Sequence, residues 1–189
     1  VLSLISEESM IKLRRINDSD LELIMDWRMR PDITRFMNTD PVLTLEGQRE
    51  WLRRVESDPD LLYRMILIKD RPAGVIDLTG LTRPDGVTGW GYYIGEHSLR
   101  SFKAAVSLEM SMYDYVFLKL HKKAVITNTF SLNRGAIAIH EAVGCELLEE
   151  RKGEVVKNGV SYDMTYQIMT SDRWSEISPG REYEKVSFD

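Results

Sequence analysis

The chain has 189 residues, a net charge of −5 and 43% hydrophobic residues, which is typical of a globular domain with a sizeable core. The acidic balance disfavours nucleic acid as a partner, because binding to phosphates needs clustered Lys and Arg. No apolar run is long enough to span a membrane, and no leader-like segment opens the sequence. Cys145 is the single cysteine, so no intrachain disulfide can form, and we predict a cytoplasmic protein without membrane contact.

The first third of the chain predicts one strand and two helices. Residues 10–16 predict the strand. Ser19 and Glu22 have the spacing of a capping box, so a first helix is expected to begin at Ser19 and to end at Pro31. A second helix is expected to begin near Thr44. The residues that share its apolar face are Leu45, Gln48, Trp51, Leu52 and Val55.

An antiparallel run of strands follows these helices. Residues 63–69 and 73–81 predict two strands joined by a turn at residues 70–72. Residues 83–86 predict another turn, and residues 87–94 continue the run.

The second half of the sequence predicts helices alternating with strands. A long helix leads to a strand at residues 124–129, and a short helix comes next. Strands at residues 146–156 and 162–169 flank Asn158-Gly159, a pair typical of tight hairpins. The sequence therefore predicts an α/β (α+β) fold, a mixed and mostly antiparallel twisted sheet of about seven strands flanked by about four helices.

A strand followed by a basic helix start lies in the middle of the chain. Residues 89–94 predict the strand, and Arg100 and Lys103 lie in the first turn of the helix that follows. Free backbone N–H groups and the helix dipole favour an anion at such a position, so a pyrophosphate would fit there. The alternative is an ordinary helix start with solvated basic residues.

Three residues share one face of the predicted short helix. Asn133, Ala136 and His140 follow one another at i, i+3 and i+7. A histidine gains or loses a proton near neutrality, so His140 is a candidate acid–base residue. The alternative is a partly buried histidine that packs beside Val143. Three dispersed histidines and one cysteine predict no metal site.

The order of these segments resembles the acetyl-CoA-binding core of the GNAT N-acetyltransferases. Residues 26–31, 36–37, 44–46 and 51–52 also resemble the opening helices of one GNAT branch. That branch contains the nucleotide-sugar N-acetyltransferase of pseudaminic-acid synthesis and the ribosomal-protein N-terminal acetyltransferases, and in it these helices lie over the acceptor site.

The resemblance extends from about residue 10 to Trp174. It implies a GNAT acyl-CoA N-acyltransferase fold with an acetyltransferase domain at residues 10–175. Residues 1–9 are then expected to be an extension, and residues 176–189 a tail.

Three positions depart from the family pattern. Gly89 stands where many members have a glutamate on the strand, so the conventional base is missing there and water chains are an alternative acceptor of the amine proton. Lys103 replaces the first glycine of the usual phosphate loop, although it keeps a backbone N–H and adds a positive charge. His140 occupies the position where many members have a tyrosine, so the resemblance implies that His140 protonates the departing CoA thiolate. Asp77 is a second catalytic candidate that would accept or orient the amine proton, unless it is a solvated carboxylate at an edge.

The resemblance also implies two sets of binding residues. The residues expected to bind acetyl-CoA are Ile94, Leu99, Arg100, Ser101, Phe102, Lys103, Ala104, Ala105, Asn128, Asn133 and Ala136. The residues expected to bind the acceptor are Trp27, Arg28, Arg35, Phe36, Met37 and Tyr92. The alternative for the second set is that Trp27 and Phe36 are core residues and the arginines are solvated.

The predicted activity is transfer of an acetyl group from acetyl-CoA to a primary amine, without a metal. A small-molecule acceptor such as an amino-sugar nucleotide is the first hypothesis. The alternatives are the N-terminus of a ribosomal or other protein, and a non-catalytic acyl-CoA-binding module. A monomer or a homodimer is expected.

Overall fold

The computed structural model describes residues 10–188. The strands are β1 (Ile11–Arg14), β2 (Leu61–Ile68), β3 (Arg71–Thr79), β4 (Val87–Ile94), β5 (Ala124–Phe130), β6 (Glu146–Lys157), β7 (Val160–Thr170) and β8 (Ser187–Phe188). The helices are α1 (Leu21–Met29), α2 (Pro31–Thr34), α3 (Leu45–Ser57), α4 (Phe102–Asp114), α5 (Arg134–Val143) and α6 (Ser171–Ile177). None of these helices is long and apolar enough to cross a membrane.

All the strands belong to one sheet in the order β6-β7-β5-β4-β3-β2-β1-β8. The predicted mixed α/β fold is confirmed, with eight strands in the described residues instead of about seven and six helices instead of about four. The additional strand is β8, which pairs parallel with β1. It lies within the segment expected to be a tail, while the expected extension at residues 1–9 lies outside the described residues.

The predicted start of the first helix at Ser19 is wrong, because a short turn at Asp18–Asp20 precedes α1, which begins at Leu21. Asn17, not Ser19, is the capping residue: its side chain accepts from the Ser19 N–H, and Asp20 Oδ2 accepts from the Asn17 N–H at 2.9 Å. Arg14 binds Asp20 through two hydrogen bonds of 2.6 and 2.8 Å. As predicted, α1 ends before Pro31, but this proline then opens α2, because a helix tolerates proline in its first turn.

The predicted turn at residues 70–72 is also displaced. The hairpin between β2 and β3 turns at Lys69 and Asp70, which have φ angles of 53° and 58°. Two consecutive positive φ angles match the twist of a tight hairpin, and Pro72 is therefore free to lie within β3. The predicted hairpin at Asn158-Gly159 is confirmed, with φ angles of 50° and 75°.

Polar caps fix the ends of the helices that surround the sheet. Thr44 Oγ1 accepts from Gly47 N at 3.2 Å at the predicted start of α3, and Ser101 Oγ accepts from Ala104 N at 3.1 Å at the start of α4. At the end of α5, Gly144 has a φ of 108°, a left-handed conformation that favours glycine.

The two faces of β4 contact different helices, because successive side chains of a strand alternate. Trp90 and Tyr92 face α4 and α5 in the larger core cluster. Tyr93 faces α1, where its ring meets Trp27 edge-on at 6.4 Å. Gly95 follows the strand at a point where a Cβ atom would lie 2.3 Å from the Trp27 ring, so only glycine permits this close packing.

The strands β4 and β5 part in the middle of the sheet. Their parallel pairing, as far as the structure describes it, comprises Val87 with Ala124, Thr88 with Val125 and Gly89 with Ile126. Beyond Gly89 each strand continues without the other. The separation opens a passage through the sheet between the two helical layers, and this passage positions the candidate site.

Candidate active site

A cleft of 1080 Å³ extends through the gap between β4 and β5. Residues from both faces of the sheet line it, so one cavity reaches α1 and α3 on one side and α4 and α5 on the other. Its volume is at the upper end of what small-molecule sites require. We call the side next to the start of α4 the donor end and the side beneath α1 and α3 the acceptor end.

The donor end contains the beginning of α4. The Ser101 hydroxyl caps the Ala104 N–H, and Ala105 N donates to the Ser101 carbonyl oxygen at 3.1 Å. The backbone N–H groups of Phe102 and Lys103 donate to no residue that the structure describes. Two free N–H groups at the positive end of a 13-residue helix are suited to a phosphate group.

Arg100 joins the donor end to α2. Its Nε donates to the Ile94 carbonyl oxygen at 2.8 Å, and its Nη2 donates to Asp32 Oδ2 at 3.0 Å. Arg30 and His97 contact the same carboxylate at 3.1 and 2.7 Å. Hydrogen bonds from Arg30, and then from Arg100, hold the pKa of Asp32 far below its usual range. Asp32 therefore stays ionised and orders the loop in front of α4.

Asp77 lies at the acceptor end, on the face of β3 that Gly91 and Tyr93 share on β4. Removal from water raises the pKa of this carboxyl to about 7. The alternative of an edge carboxylate is wrong, because β3 is an interior strand, and the half-buried Asp77 side chain borders the cleft. At neutral pH this group exchanges protons readily, which is what a general base requires.

One arginine nitrogen and one tyrosine hydroxyl at the acceptor end have no hydrogen-bond partner among the described residues. Arg28 Nη1 and the Tyr93 hydroxyl are buried and make no hydrogen bond to the described residues. Burial raises the pKa of Tyr93 well above its usual value, and burial also raises that of Tyr63 to about 12. The side chains of Arg28, Tyr63 and Tyr93 line the cleft together with that of Asp77. Because unpaired buried polar groups are costly, these atoms indicate where polar groups of a ligand would bind.

His140 lines the donor side of the cleft and contacts a buried carboxylate. Its Nδ1 lies 3.0 Å from Glu109 Oε2, and the Tyr92 hydroxyl donates to Glu109 Oε1 at 2.9 Å. The Trp90 ring meets His140 edge-on at 6.3 Å and stacks on Tyr92 at 5.5 Å. His140 is thus hydrogen-bonded and 6% exposed, yet it still borders the cavity.

Most of the residues predicted for the site line this cleft. They are Asp77 and His140 among the catalytic candidates, Ile94, Arg100, Ser101, Phe102, Ala105, Asn128, Asn133 and Ala136 on the donor side, and Arg28, Arg35, Phe36, Met37 and Tyr92 from the acceptor set. The roles assigned to these residues remain predictions.

Four of the predicted residues have side chains that do not line the cleft, and their binding roles stay predictions. Trp27 is 1% exposed and packs beneath Gly95, so it supports the acceptor end and does not line it. Leu99 and Ala104 pack against the larger core cluster, and the Lys103 side chain is exposed outside the cleft.

Tyr92 lines the cleft, but its hydroxyl faces Glu109. Tyr93, the next residue on β4, faces the acceptor end instead.

Sequence reasoning missed several residues of this site. Glu109 is 0% exposed within an apolar run of α4, and a charged residue in such a run was the available signal. Tyr63 and Tyr93 come from strands whose facing cannot be read without the sheet register. No cluster of His, Cys, Asp or Glu within residues 10–188 could hold a metal ion.

Cys145 is buried near Glu109 and His140 and contacts Tyr113. Its Sγ is 2.9 Å from the Tyr113 hydroxyl, and burial raises the pKa of the thiol to about 12. A thiol held in its neutral form is a poor nucleophile, so the structure favours a packing role for the buried Cys145.

Comparison with known proteins adds a family and several relatives. Residues 11–146 match the acetyltransferase (GNAT) domain. Acetyltransferase PseH of Campylobacter jejuni is 27% identical over 147 residues, which cover 76% of this chain and 89% of that protein.

Solved structures share the fold. Spermidine N-acetyltransferase from Vibrio cholerae, in complex with CoA and spermine, has a TM-score of 0.81 at 16% identity and covers 88% of this chain and 98% of its own. An aminoglycoside acetyltransferase in complex with coenzyme A has a TM-score of 0.72 at 18% identity, covering 89% of this chain and 99% of its own.

Proposed function

The chain belongs to the GNAT family of N-acetyltransferases, and we propose that it transfers the acetyl group of acetyl-CoA to a primary amine of a small anionic molecule, with an amino-sugar nucleotide as the leading candidate. The observation that carries this proposal is the cleft that joins the free helix start of α4 to the arginine-lined acceptor end beneath α1 and α3. The sequence resemblance to the branch with the nucleotide-sugar N-acetyltransferase supports the same acceptor class.

The donor side of the cleft suits coenzyme A. The free N–H groups of Phe102 and Lys103 would bind the pyrophosphate, and the parted strands β4 and β5 offer unpaired backbone groups to the amides of the pantetheine arm. Asn133 and Ala136 line the same side at the start of α5. The solved relatives with this fold that contain coenzyme A support this donor.

The charges that line the cleft argue for an anionic acceptor. Among the described residues that line the cleft, the carboxylates are Asp32 and Asp77, whereas Arg28, Arg35 and Arg100 are cationic. Asp32 is already engaged by Arg30, Arg100 and His97. A polyamine would meet uncompensated arginines, while a phosphate would find the paired donors that guanidinium groups provide.

Aromatic and apolar side chains complete the acceptor end. Phe36, Met37, Trp51 and Tyr63 line it, and the Arg35 guanidinium lies 4.5 Å above the Phe36 ring. Flat rings next to arginine suit a sugar or a base with attached phosphates. A free protein N-terminus is the second candidate, because the same sequence branch includes ribosomal-protein acetyltransferases.

The two catalytic candidates lie on opposite sides of the gap in the sheet. In the proposed reaction the amine nitrogen attacks the thioester carbonyl carbon, and Asp77 receives the proton that the amine loses. The C–N bond forms, the C–S bond breaks, and His140 donates a proton to the departing sulfur. Holding donor and amine in one cleft supplies a large part of the rate, and the backbone N–H of Ile94 is the proposed oxyanion donor.

Thiol release from acetyl-CoA tests the proposal across a panel of amines. The panel contains a uridine diphosphate-linked amino sugar, the same amino sugar without the nucleotide, spermidine and a short peptide with a free N-terminus. Release is expected with the nucleotide-linked sugar, and mass spectrometry should find one acetyl group on its amine. Release confined to the peptide would favour the second candidate, and stabilisation by CoA without release would contradict catalysis.

A further inference from the structure

We infer that Glu109 is a positioning residue for the acetyl transfer: it binds Nδ1 of His140 and thereby presents the protonated Nε2 of the imidazole to the cleft. This inference rests on the proposed function, because it concerns the acid that protonates the CoA sulfur. It assigns a role to a carboxylate that lies outside the cleft and touches no substrate.

The contacts of Glu109 account for both carboxylate oxygens. Oε2 meets His140 Nδ1 at 3.0 Å, and Oε1 accepts from the Tyr92 hydroxyl at 2.9 Å. Since an ionised carboxylate only accepts, His140 must donate from Nδ1 to it. Nε2 makes no hydrogen bond to another described residue, and His140 borders the cleft, so this second nitrogen is the one available to a ligand.

Charge balance favours an ion pair at this position. Glu109 is 0% exposed, and His140 is its single ion-pair partner within residues 10–188. The other titratable groups that face Glu109 are Tyr92, Tyr113 and Cys145, and burial raises the pKa of each of them, so all three stay neutral at pH 7. A buried carboxylate among neutral groups is stabilised by a protonated imidazole and destabilised by a neutral one.

Packing around the pair restricts it to one geometry. Trp90 contacts His140, Tyr92 and Tyr113 at ring separations of 6.3, 5.5 and 5.6 Å. α4 supplies the carboxylate and α5 the imidazole, so the ion pair also joins the two helices that form the donor side of the cleft. A second residue that orients the proton donor is the arrangement found in many acid–base sites.

The inference defines a complete proton path. When the C–S bond breaks, the electron pair stays on sulfur and the Nε2 proton moves to it. His140 is then neutral and keeps its Nδ1 proton against Glu109. Solvent protonates Nε2 again after the thiol has left. Glu109 itself neither gains nor loses a proton.

Glu109→Gln is the first test, because it keeps the size and an acceptor oxygen but removes the charge. We expect kcat to fall about tenfold or more, since a general acid contributes ~10²–10⁴-fold and a thiolate is a fairly good leaving group. The KM for acetyl-CoA should stay within about twofold of wild type. The alkaline limb of the pH–rate profile should move to lower pH, because the imidazolium loses its counter-ion.

A double variant separates this role from a purely structural one. If Glu109 acts through His140, then adding Glu109→Gln to His140→Phe should lower kcat by less than about twofold. If the kcat loss of the double variant equals the product of the two single-variant losses, the inference is overturned. Tyr113→Phe is the matched control, because it removes a buried hydroxyl that contacts Cys145 and lies near Glu109 without binding it; it should leave the pH profile unchanged.

Nitrogen NMR of the histidines tests the ion pair without any acceptor. The chain has three histidines, and His140→Phe assigns the signal of interest. In wild type at high pH we expect the proton on Nδ1, and Glu109→Gln should lower the protonation midpoint of His140, because the imidazolium loses its counter-ion. Equal midpoints would overturn the inference even if the enzyme is active, whereas absence of transfer to every amine would refute the proposed function alone. If Glu109→Gln fails to fold, Glu109→Asp, which keeps the charge but shortens its reach, takes its place.

Discussion

Lys157 Nζ donates to the Thr34 carbonyl oxygen at 2.6 Å, a contact between residues 123 positions apart. The same ammonium reaches the Met37 carbonyl oxygen at 3.1 Å and Asp40 Oδ1 at 2.8 Å. Asn158 adds a bond of 2.6 Å to Asp40 Oδ2. The tip of the β6–β7 hairpin thus holds the loop after α2, which contributes Arg35, Phe36 and Met37 to the acceptor end.

Lys157→Met should therefore impair acceptor binding more than donor binding. The lysine side chain is buried, and its removal leaves two carbonyl oxygens without their donor, at a cost of about 1–3 kcal/mol. We expect the acceptor KM to rise about tenfold while the KM for acetyl-CoA changes by less than about twofold. Lys152→Met on the same strand, where the lysine is exposed, is the control. Equal changes in both KM values would contradict this function of the hairpin.

Phe102→Pro tests the helix start of α4 as the pyrophosphate site. Proline removes the backbone N–H at the first helical position, where a helix tolerates it, and Ser101 before it is extended at φ −151° and ψ 151°, as a residue before proline should be. Calorimetry should find CoA binding weakened by about 10- to 100-fold, because a hydrogen bond to a charged group contributes about 1.5–3 kcal/mol. Phe102→Ala removes the side chain alone and should bind CoA nearly as wild type does; equal affinity in the two variants would exclude this N–H as a phosphate donor.

Asp77→Asn tests the proposed base and has a defined effect on stability. Because burial raises the pKa of Asp77 to about 7, the folded state holds its proton from about pH 4 to about pH 7 while the unfolded state does not. The contribution of Asp77 to the free energy of unfolding is therefore largest below about pH 4, and it is lost as the pH rises to about 7.

Asparagine cannot ionise, so Asp77→Asn should raise the melting temperature at pH 8 and have little effect at pH 4. It should also lower kcat and remove the acid limb of the pH–rate profile near pH 7. An unchanged profile would show that another group, or water, takes the amine proton.

His140→Phe should lower kcat with little change in CoA affinity. The expected loss is about 10- to 100-fold, the lower part of the range for a general acid, since thiolates leave readily. His140→Tyr should restore part of the rate, because a phenol donates from the same helix position. Wild-type kcat in His140→Phe across pH 6 to 9 would mean that His140 serves only as the buried partner of Glu109.

Local patterns sufficed to predict the elements that have strong local signals. The β4 limits, the start of α3 at Thr44 and the Asn158-Gly159 hairpin follow from alternation, capping and turn chemistry, which depend on neighbouring residues. The Asn17 cap was not predicted, because Ser19 and Glu22 have the usual capping-box spacing, whereas the structure pairs Asn17 with Asp20.

The site was predictable where family motifs place residues along one element. His140, Asn133 and Ala136 share a helix face, and all three line the cleft. Glu109 and Lys157 act across 31 and 123 positions of sequence, and no local pattern predicts such contacts. Tyr92 and Tyr93 could be told apart only from the register of β4 with β3.

Competition between two acceptors in one reaction tests the central proposal most directly. A uridine diphosphate-linked amino sugar and spermidine are supplied at equal concentrations, and acetyl-CoA is limiting. The ratio of the two acetylated products then gives the ratio of the kcat/KM values of the two acceptors. We predict that the nucleotide-linked sugar receives nearly all of the acetyl groups in wild type, and that Arg28→Gln reduces this preference while the exposed control Arg53→Gln does not. Preferential acetylation of spermidine by the wild-type protein would contradict the account.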